Sequence, residues 1–443
     1  MGSQPRYSVV IPTRNRAETL RWTLATCIAQ ESDDLEIVVS DNFSVDDTRE
    51  VVASVGDKRV RYVRTPNSLA MTDSWEFAVG QTVGEYVTVV GDDDGLLLHA
   101  VPEIDRILRQ TPLRALRWES VCYNWPNLQT TAFTKPDRLV IPLNRRNGIH
   151  CIHRHNGRKM LALAAAGRAG YWQLPMIYNS IIHRNVLDDL RNRVGRVFQS
   201  RFPDVYSAFA IAAMTQDYAS SDVPLGISGR SGKSNGVSYL HLARQSQTGV
   251  DFSELNARES YGPHPRGIDF KTLSACAADA YLIARDSLFA GDSRLQLDYR
   301  SFVERCFAEL ELACASDWDA ARRTVATALA FDSELSTWFT EKYSCVSFEE
   351  ARTYHSGPNW KRYCETHFHL DTAEFGVKNV FEAAQLSEKL LGFRSEGTDA
   401  HFDPQPAVPN FAPSPVPKPG RAESPLLLKR AKHVLTRMFS KAA

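Results

Sequence analysis

Tyr86-Val87-Thr88-Val89-Val90-Gly91-Asp92-Asp93-Asp94-Gly95 decides the fold. Its first five residues are β-branched or aromatic and read as a buried strand. Three carboxylates follow where the strand ends and a glycine-flanked turn begins. Like charges at this spacing repel, and nothing adjacent in the sequence neutralises them. A hard divalent cation, Mg²⁺ or Mn²⁺, would do so, because it prefers oxygen ligands and shares them with substrate phosphates. A solvated acidic turn is the plainer alternative.

The pattern on both sides of this stretch alternates between strand and helix. Tyr7 to Ile11 reads as a strand stopped by Pro12. Asn15 and Glu18 have the spacing of a capping box, and a helix follows through Leu20, Leu24 and Ile28. Leu35 to Val39 is a second strand, and Ser44 with Asp47 suggests another capping box. Val60 to Val63 is a third strand, Leu69 to Val83 a helix, Ala100 to Leu108 a helix, and Leu113 to Trp118 a fifth strand. Such alternation predicts an α/β fold with a mostly parallel sheet between helices. Ligands of such sheets bind at the carboxyl ends of the strands. Three polar clusters fall there: Thr13 to Arg16, Ser40 to Asn42, and the aspartate triplet.

Composition narrows the function classes. The 443 residues carry 52 basic and 52 acidic side chains, so no global charge draws the chain to nucleic acid. The eight cysteines include no CxxC pair, which points to reduced thiols and a cytoplasmic protein. Met1 to Arg6 lacks the apolar core of a signal peptide, and no apolar run reaches bilayer-spanning length. No GxGxxG follows the first strand. Gly229 to Ser234 superficially suggests a P-loop, but the glycine required at 227 is Ile227. Phosphates here must be held by metal and basic side chains. Gly226 to Gly236 holds four glycines with Arg230 and Lys233, and reads as a mobile lid whose cations reach a diphosphate, or as a plain surface loop.

Taken together, these segments resemble the family-two glycosyltransferases of GT-A fold. The motifs are Ser8 to Arg16, Val38 to Thr48, Asn67, Trp75-Glu76, Gly84 to Val87 and Gly91 to Asp94, within a resemblance covering roughly the first 240 residues. The resemblance implies an inverting, metal-dependent transferase that uses a nucleotide diphosphate-sugar, UDP-type favoured, and a glycan or lipid-linked acceptor. It implies that Asp41 bonds the base, that Pro12, Thr13, Arg14, Asn15 and Arg16 line base and ribose, and that Asn67 and Asp92 also serve the nucleotide-sugar. Asp93 and then Asp94 are the implied ligands of Mn²⁺ or Mg²⁺. Gly91 stands where the commoner Asp-x-Asp pattern has its first acid. The general base of the family sits at a helix start about a hundred residues further on, and Asp204 fits, with Asp217 and Asp222 as rivals. Two other readings use the same acids: a Mg²⁺-dependent nucleotidyl or phosphoryl transferase, and a non-catalytic sugar-nucleotide-binding scaffold.

Several further stretches invite readings of their own. His150, His153, His155 and Cys151 lack the second pair of a zinc finger, and His241 is a weak extra metal ligand. Tyr171-Trp172-Gln173-Leu174-Pro175 reads as an acceptor wall or as core. Domains are expected at 1–245 (catalytic) and 265–395 (helical accessory, with oligomerisation, acceptor selection or membrane docking as its role). A Pro-rich linker at 403–420 and a basic amphipathic helix at 424–441 follow. That helix predicts peripheral attachment to the inner, anionic face of a membrane.

Overall fold

The computed structural model describes residues 4–111, 113–130, 135–143, 151–240, 246–354 and 366–392, and the backbone of 401–406. The strands are β1 Tyr7–Thr13, β2 Leu35–Asp41, β3 Val60–Arg64, β4 Tyr86–Val89, β5 Gly95–Leu96 and β6 Ala115–Asn124. They continue with β7 Arg138–Pro142, β8 Cys151–Asn156, β9 Ser180–His183, β10 Asp217–Arg230, β11 His367–Asp371 and β12 His401–Pro406. One sheet holds them, in the order β12-β8-β10-β6-β9-β4-β1-β2-β3 along its main path. β3, β2, β1, β4, β6 and β10 run the same way, which is the mostly parallel α/β sheet expected. β9 enters antiparallel between β4 and β6. The fifth expected strand therefore forms as β6, longer than foreseen and one place removed from β4.

Period-two alternation sorts the strand residues onto two faces. Val10, Val38, Val87 and Val89 join one apolar cluster, while Val9, Ile11, Ile37, Val39 and Val90 join another. Helices Ala17–Ile28 and Ala100–Gln110 cover the second face. Helices Met71–Gly80 and Pro203–Met214 cover the first.

The helical segment has no core of its own. Helix Leu273–Ala284 packs on Pro203–Met214. Phe302, Cys306, Trp318 and Val325 belong to the same cluster as Val10 and Val87. Its far end departs from the expected boundary of 395. β11 pairs with β7, and helix Val380–Leu391 packs Val380, Ala384 and Leu390 against Leu97, Val121 and Ile227. His99 Nδ1 meets Glu388 Oε1 at 2.7 Å across this contact. Residues 366–392 thus complete the sheet unit.

The start of the expected linker, through Pro406, lies in β12, an outer strand parallel to β8. Proline is tolerated at such an edge. The remainder of that linker, the 424–441 helix, His150 and His241 lie outside the described residues. Among the described residues no helix is long and apolar enough to cross a membrane. Cys27, Cys122, Cys276, Cys306, Cys314 and Cys345 are free thiols.

Candidate active site

Register brings the polar clusters together. Thr13 lies beside Asp41, and Val10 beside Val89, so the carboxyl ends of β1, β2 and β4 share one edge. A cleft of about 1300 Å³ opens there. That exceeds the usual volume of a small-molecule site. The whole loop from Pro12 to Arg16 lines it, with Asp92, Asp93, Asp204, Arg230 and Lys233.

Three expected residues do not line the cleft. Asp41 is fully buried, and its carboxylate accepts from Ser44 N at 2.8 Å and Tyr62 Oη at 2.5 Å, with Arg64 at 3.5 Å. It holds the acidic loop in place, and neighbouring Asn42 faces the cleft instead. Asn67 is exposed outside the cleft. Asp94 turns inward and is saturated by protein donors. Gly229 N donates to its Oδ1 at 2.6 Å, and Gly91 N and the Tyr178 hydroxyl donate to its Oδ2.

The triplet thus divides its work. Asp92 accepts from Thr13 Oγ1 at 2.7 Å and pairs with Arg16 Nη1 at 2.7 Å. Asp93 accepts from Ser231 Oγ at 2.7 Å and Ser231 N at 3.2 Å through one oxygen. Its other oxygen makes no hydrogen bond to a described residue. Burial pushes the Asp93 carboxyl above its ordinary range, with Arg16 opposing and Asp92 adding to the rise. Burial and then Asp93 push Asp94 up further. The Arg16 guanidinium is disfavoured by burial but held firmly protonated by Asp92 and Asp93.

Arg16 also ties the β1 loop to the segment after β10. Its Nη2 donates to Asn235 Oδ1 at 2.8 Å and to the Lys233 carbonyl. Lys233 Nζ returns a bond to the Asn15 carbonyl at 3.2 Å. Asn15 sits at φ +55° and uses its side chain to bond Val45 N, so the expected capping box does not form. Helix Ala17–Ile28 starts instead with Asp46 accepting from Ala17 N. Ser44 likewise accepts from Asn15 N, and serves the loop rather than a helix.

Gly226 and Gly229 lie within β10, so the expected lid shortens to the residues after Arg230. A Cβ at Gly229 would fall on the Asp93 carbonyl oxygen, and only glycine permits that approach. A Cβ at Gly91 would overlap the Tyr178 hydroxyl and Asp94 Oδ2. This is why no acid stands at the first position of the motif.

Asp204 opens helix Pro203–Met214 directly after Pro203. Its carboxylate is held by the backbone N–H groups of Val205 and Asp204 and has no ion pair to a described residue. Burial raises its pKa above 3.8, and those N–H groups oppose the rise. The rivals are spent: Asp217 pairs with Arg154 at 2.6 Å, and Asp222 accepts from Cys151 N at 2.8 Å. His153 lies 3.7 Å from Asp222 and His155 bonds Ser220 Oγ. Among the described residues no group of three His, Cys, Asp or Glu side chains is placed to hold a metal. The donors available to a cation are therefore the free oxygen of Asp93 and, with Arg16 displaced, Asp92. That suits Mg²⁺ or Mn²⁺, which bind through one or two carboxylates plus substrate phosphates.

The helical segment supplies Lys271, Arg305 and Glu309 to the same cleft, and Asp251 reaches Arg14 at 3.8 Å. Trp75 stacks on Tyr178 at 5.8 Å on the opposite wall. Lys271, Arg305, Glu309 and Asp251 carried no local sequence signal, because folding alone brings them to the strand edge.

Fold and site define a mixed α/β protein with an acid-and-cation cleft at the carboxyl edge of its sheet. Residues 8–112, from β1 to just past helix Ala100–Gln110, match the Glycosyl transferase family 2 model. The chain is 37% identical over 100 residues to the GalNAc(5)-diNAcBac-PP-undecaprenol beta-1,3-glucosyltransferase of Campylobacter jejuni, covering 22% of this chain and 32% of that protein. It is 52% identical over 62 residues to the validoxylamine A glucosyltransferase of Streptomyces hygroscopicus, covering 13% and 15%. The alignments thus span a third or less of these relatives. Among solved structures, S. aureus TarS 1-349 in complex with UDP-GlcNAc superposes with TM-score 0.39 at 15% identity, over 79% of this chain and 89% of that one.

Proposed function

We propose that the protein is an inverting glycosyltransferase. It moves a sugar from a nucleoside diphosphate-sugar, UDP-type favoured, to a hydroxyl of a glycan or lipid-linked acceptor. The observation that carries the reading is Asp204, an unpaired carboxylate facing the same cleft as Asp92, Asp93 and the cations of the β1 loop. The family match to residues 8–112 supports it, as do relatives named as glucosyltransferases. The name of the first relative includes an undecaprenol-linked acceptor, which favours the lipid-linked option.

Asp204 takes the proton from the acceptor hydroxyl as that oxygen attacks the anomeric carbon. The bond from that carbon to the diphosphate breaks, and the diphosphate leaves with the electron pair. Arg14, Arg16, Arg230 and Lys233 balance the growing negative charge. A divalent cation on Asp93, with Asp92, would add neutralisation of the diphosphate. Were a cation to take both acids, Arg16 would have to release Asp92, and its guanidinium would then be available to the diphosphate.

Nucleoside diphosphate release from a panel of sugar nucleotides tests the proposal directly. Pyrophosphate as the product marks nucleotidyl transfer instead. Asp204→Asn keeps donor binding and cuts turnover by about 10²-fold or more. Near-normal turnover of that variant removes Asp204 from the base role.

The basic helix at 424–441 carries a further part of the proposal. It holds the enzyme peripherally at an anionic, cytoplasm-facing membrane surface, within reach of an acceptor carried on lipid.

A further inference from the structure

Beside Asp204 the cleft carries an aromatic pair that the transfer step does not use. Tyr171 and Trp172 open a short 3₁₀ turn, Tyr171–Gln173, and both line the cleft. Trp172 is 54% exposed, an unusual state for so large an apolar ring. Its position is fixed nonetheless. The Trp172 carbonyl accepts from Arg117 Nε at 2.7 Å, and Arg117 is itself anchored on Glu119 at 2.7 Å. Tyr171 meets the indole edge-on at 5.3 Å and 80°. The indole also lies over Gly170, where a Cβ would come within 2.5 Å of Cη2 and Cζ2. Glycine at 170 therefore gives the ring room to pack close to the backbone while more than half of the residue stays exposed.

Tyr171 supplies the polar half. Its hydroxyl makes no hydrogen bond to a described residue. Burial first, then nearby Asp204, hold it protonated. Thr272 and Glu309 from the helical segment line the same cleft. Ser274 fixes the Glu309 carboxylate through bonds of 2.9 and 2.5 Å. A flat aromatic face beside fixed polar groups suits a ligand that is apolar on one face and hydroxylated at its rim. A pyranose ring has that character, and a linear polyol does not.

Resting on the transferase reading above, we infer that Trp172 on its Gly170 seat is the platform for an acceptor pyranose ring, with Tyr171 bonding a ring hydroxyl near Asp204. The acceptor end is then a ring sugar, and it runs along the wall built by the helical segment.

Saturation-transfer NMR on the full chain tests this, with cellobiose and methyl glucoside as ring probes, ribitol as the linear control, and UDP as the donor-half reporter. The ring probes saturate and ribitol does not. Trp172→Ala lowers the ring signal roughly fivefold, the scale of one aromatic contact, while Trp172→Phe keeps most of it. Gly170→Ala lowers it similarly, and adds nothing to Trp172→Ala in the double variant. UDP saturates equally in every variant, which shows that the fold and donor half are intact. A full ring signal in Trp172→Ala, ribitol saturating as strongly as the sugars, or no ring signal in the unmodified protein overturns the inference. Loss of UDP binding in the unmodified protein instead removes the transferase reading, while the ring signal still reports on Trp172.

Discussion

Three consecutive aspartates have three different surroundings, and their side-chain directions separate them. Asp93 faces the cleft with one oxygen to spare, while Asp94 is consumed by Tyr178, Gly91 and Gly229. Asp93→Ala therefore abolishes cation-dependent nucleotide binding, read as loss of the Mn²⁺-dependent part of a UDP thermal shift, while the unliganded protein melts near its usual temperature. Unchanged Mn²⁺ dependence removes Asp93 from that role. With Asp204 as the proposed base, its carboxyl sets the expected pH dependence. Because its carboxyl is raised above 3.8, its basic form fills at higher pH than that of an exposed aspartate. The value of kcat/KM climbs with pH through that raised pKa, and this acid limb disappears in Asp204→Asn. A limb at the ordinary aspartate value contradicts the buried setting. The sequence located the acidic turn and the helix start at Asp204 because both follow from local pattern. It could not rank the three acids, since in a tight turn each residue's direction depends on partners as remote as Tyr178 and Ser231.

Among the elements, β10 shows best where local reading stops. Gly226 to Arg230 has the composition of a loop, yet it continues a fourteen-residue strand. Its glycines mark the close passage of one backbone over another. Gly229 N fixes Asp94, and the next turn fixes Asp93 through Ser231, so this strand end shapes the acidic turn. Gly229→Ala inserts a methyl group into a buried contact, at a cost of roughly 1–3 kcal/mol by the measure of other overpacked sites. Its melting temperature falls by several degrees and nucleotide binding weakens with it, both measurable by thermal shift. An unshifted melting curve means that the two backbones lie further apart than described. The expected capping boxes failed for a related reason. Asn15 and Ser44 bond each other's loops across a gap of 29 residues, an option invisible to a pattern confined to four.

On the scale of the whole molecule, the α/β class and the helical segment after it were legible from periodicity. Their union was not. Apolar spacing shows that a face will be buried but not against what, so the shared core of Val10, Phe302 and Trp318 gave no separate signal. The same holds for helix Val380–Leu391, whose amphipathic pattern suits an accessory bundle as well as it suits the sheet. Removing residues 424–443 abolishes flotation with anionic vesicles and leaves turnover of a soluble acceptor unchanged. Flotation that survives the deletion rules out this anchor.

The return of helix Val380–Leu391 to the sheet has a consequence for synthesis. Trp22, Leu97 and Val121 are synthesised well before the helix whose apolar face covers them. Until then the nascent chain shows an uncovered patch beside its half-built cleft, a surface for chaperones to shield.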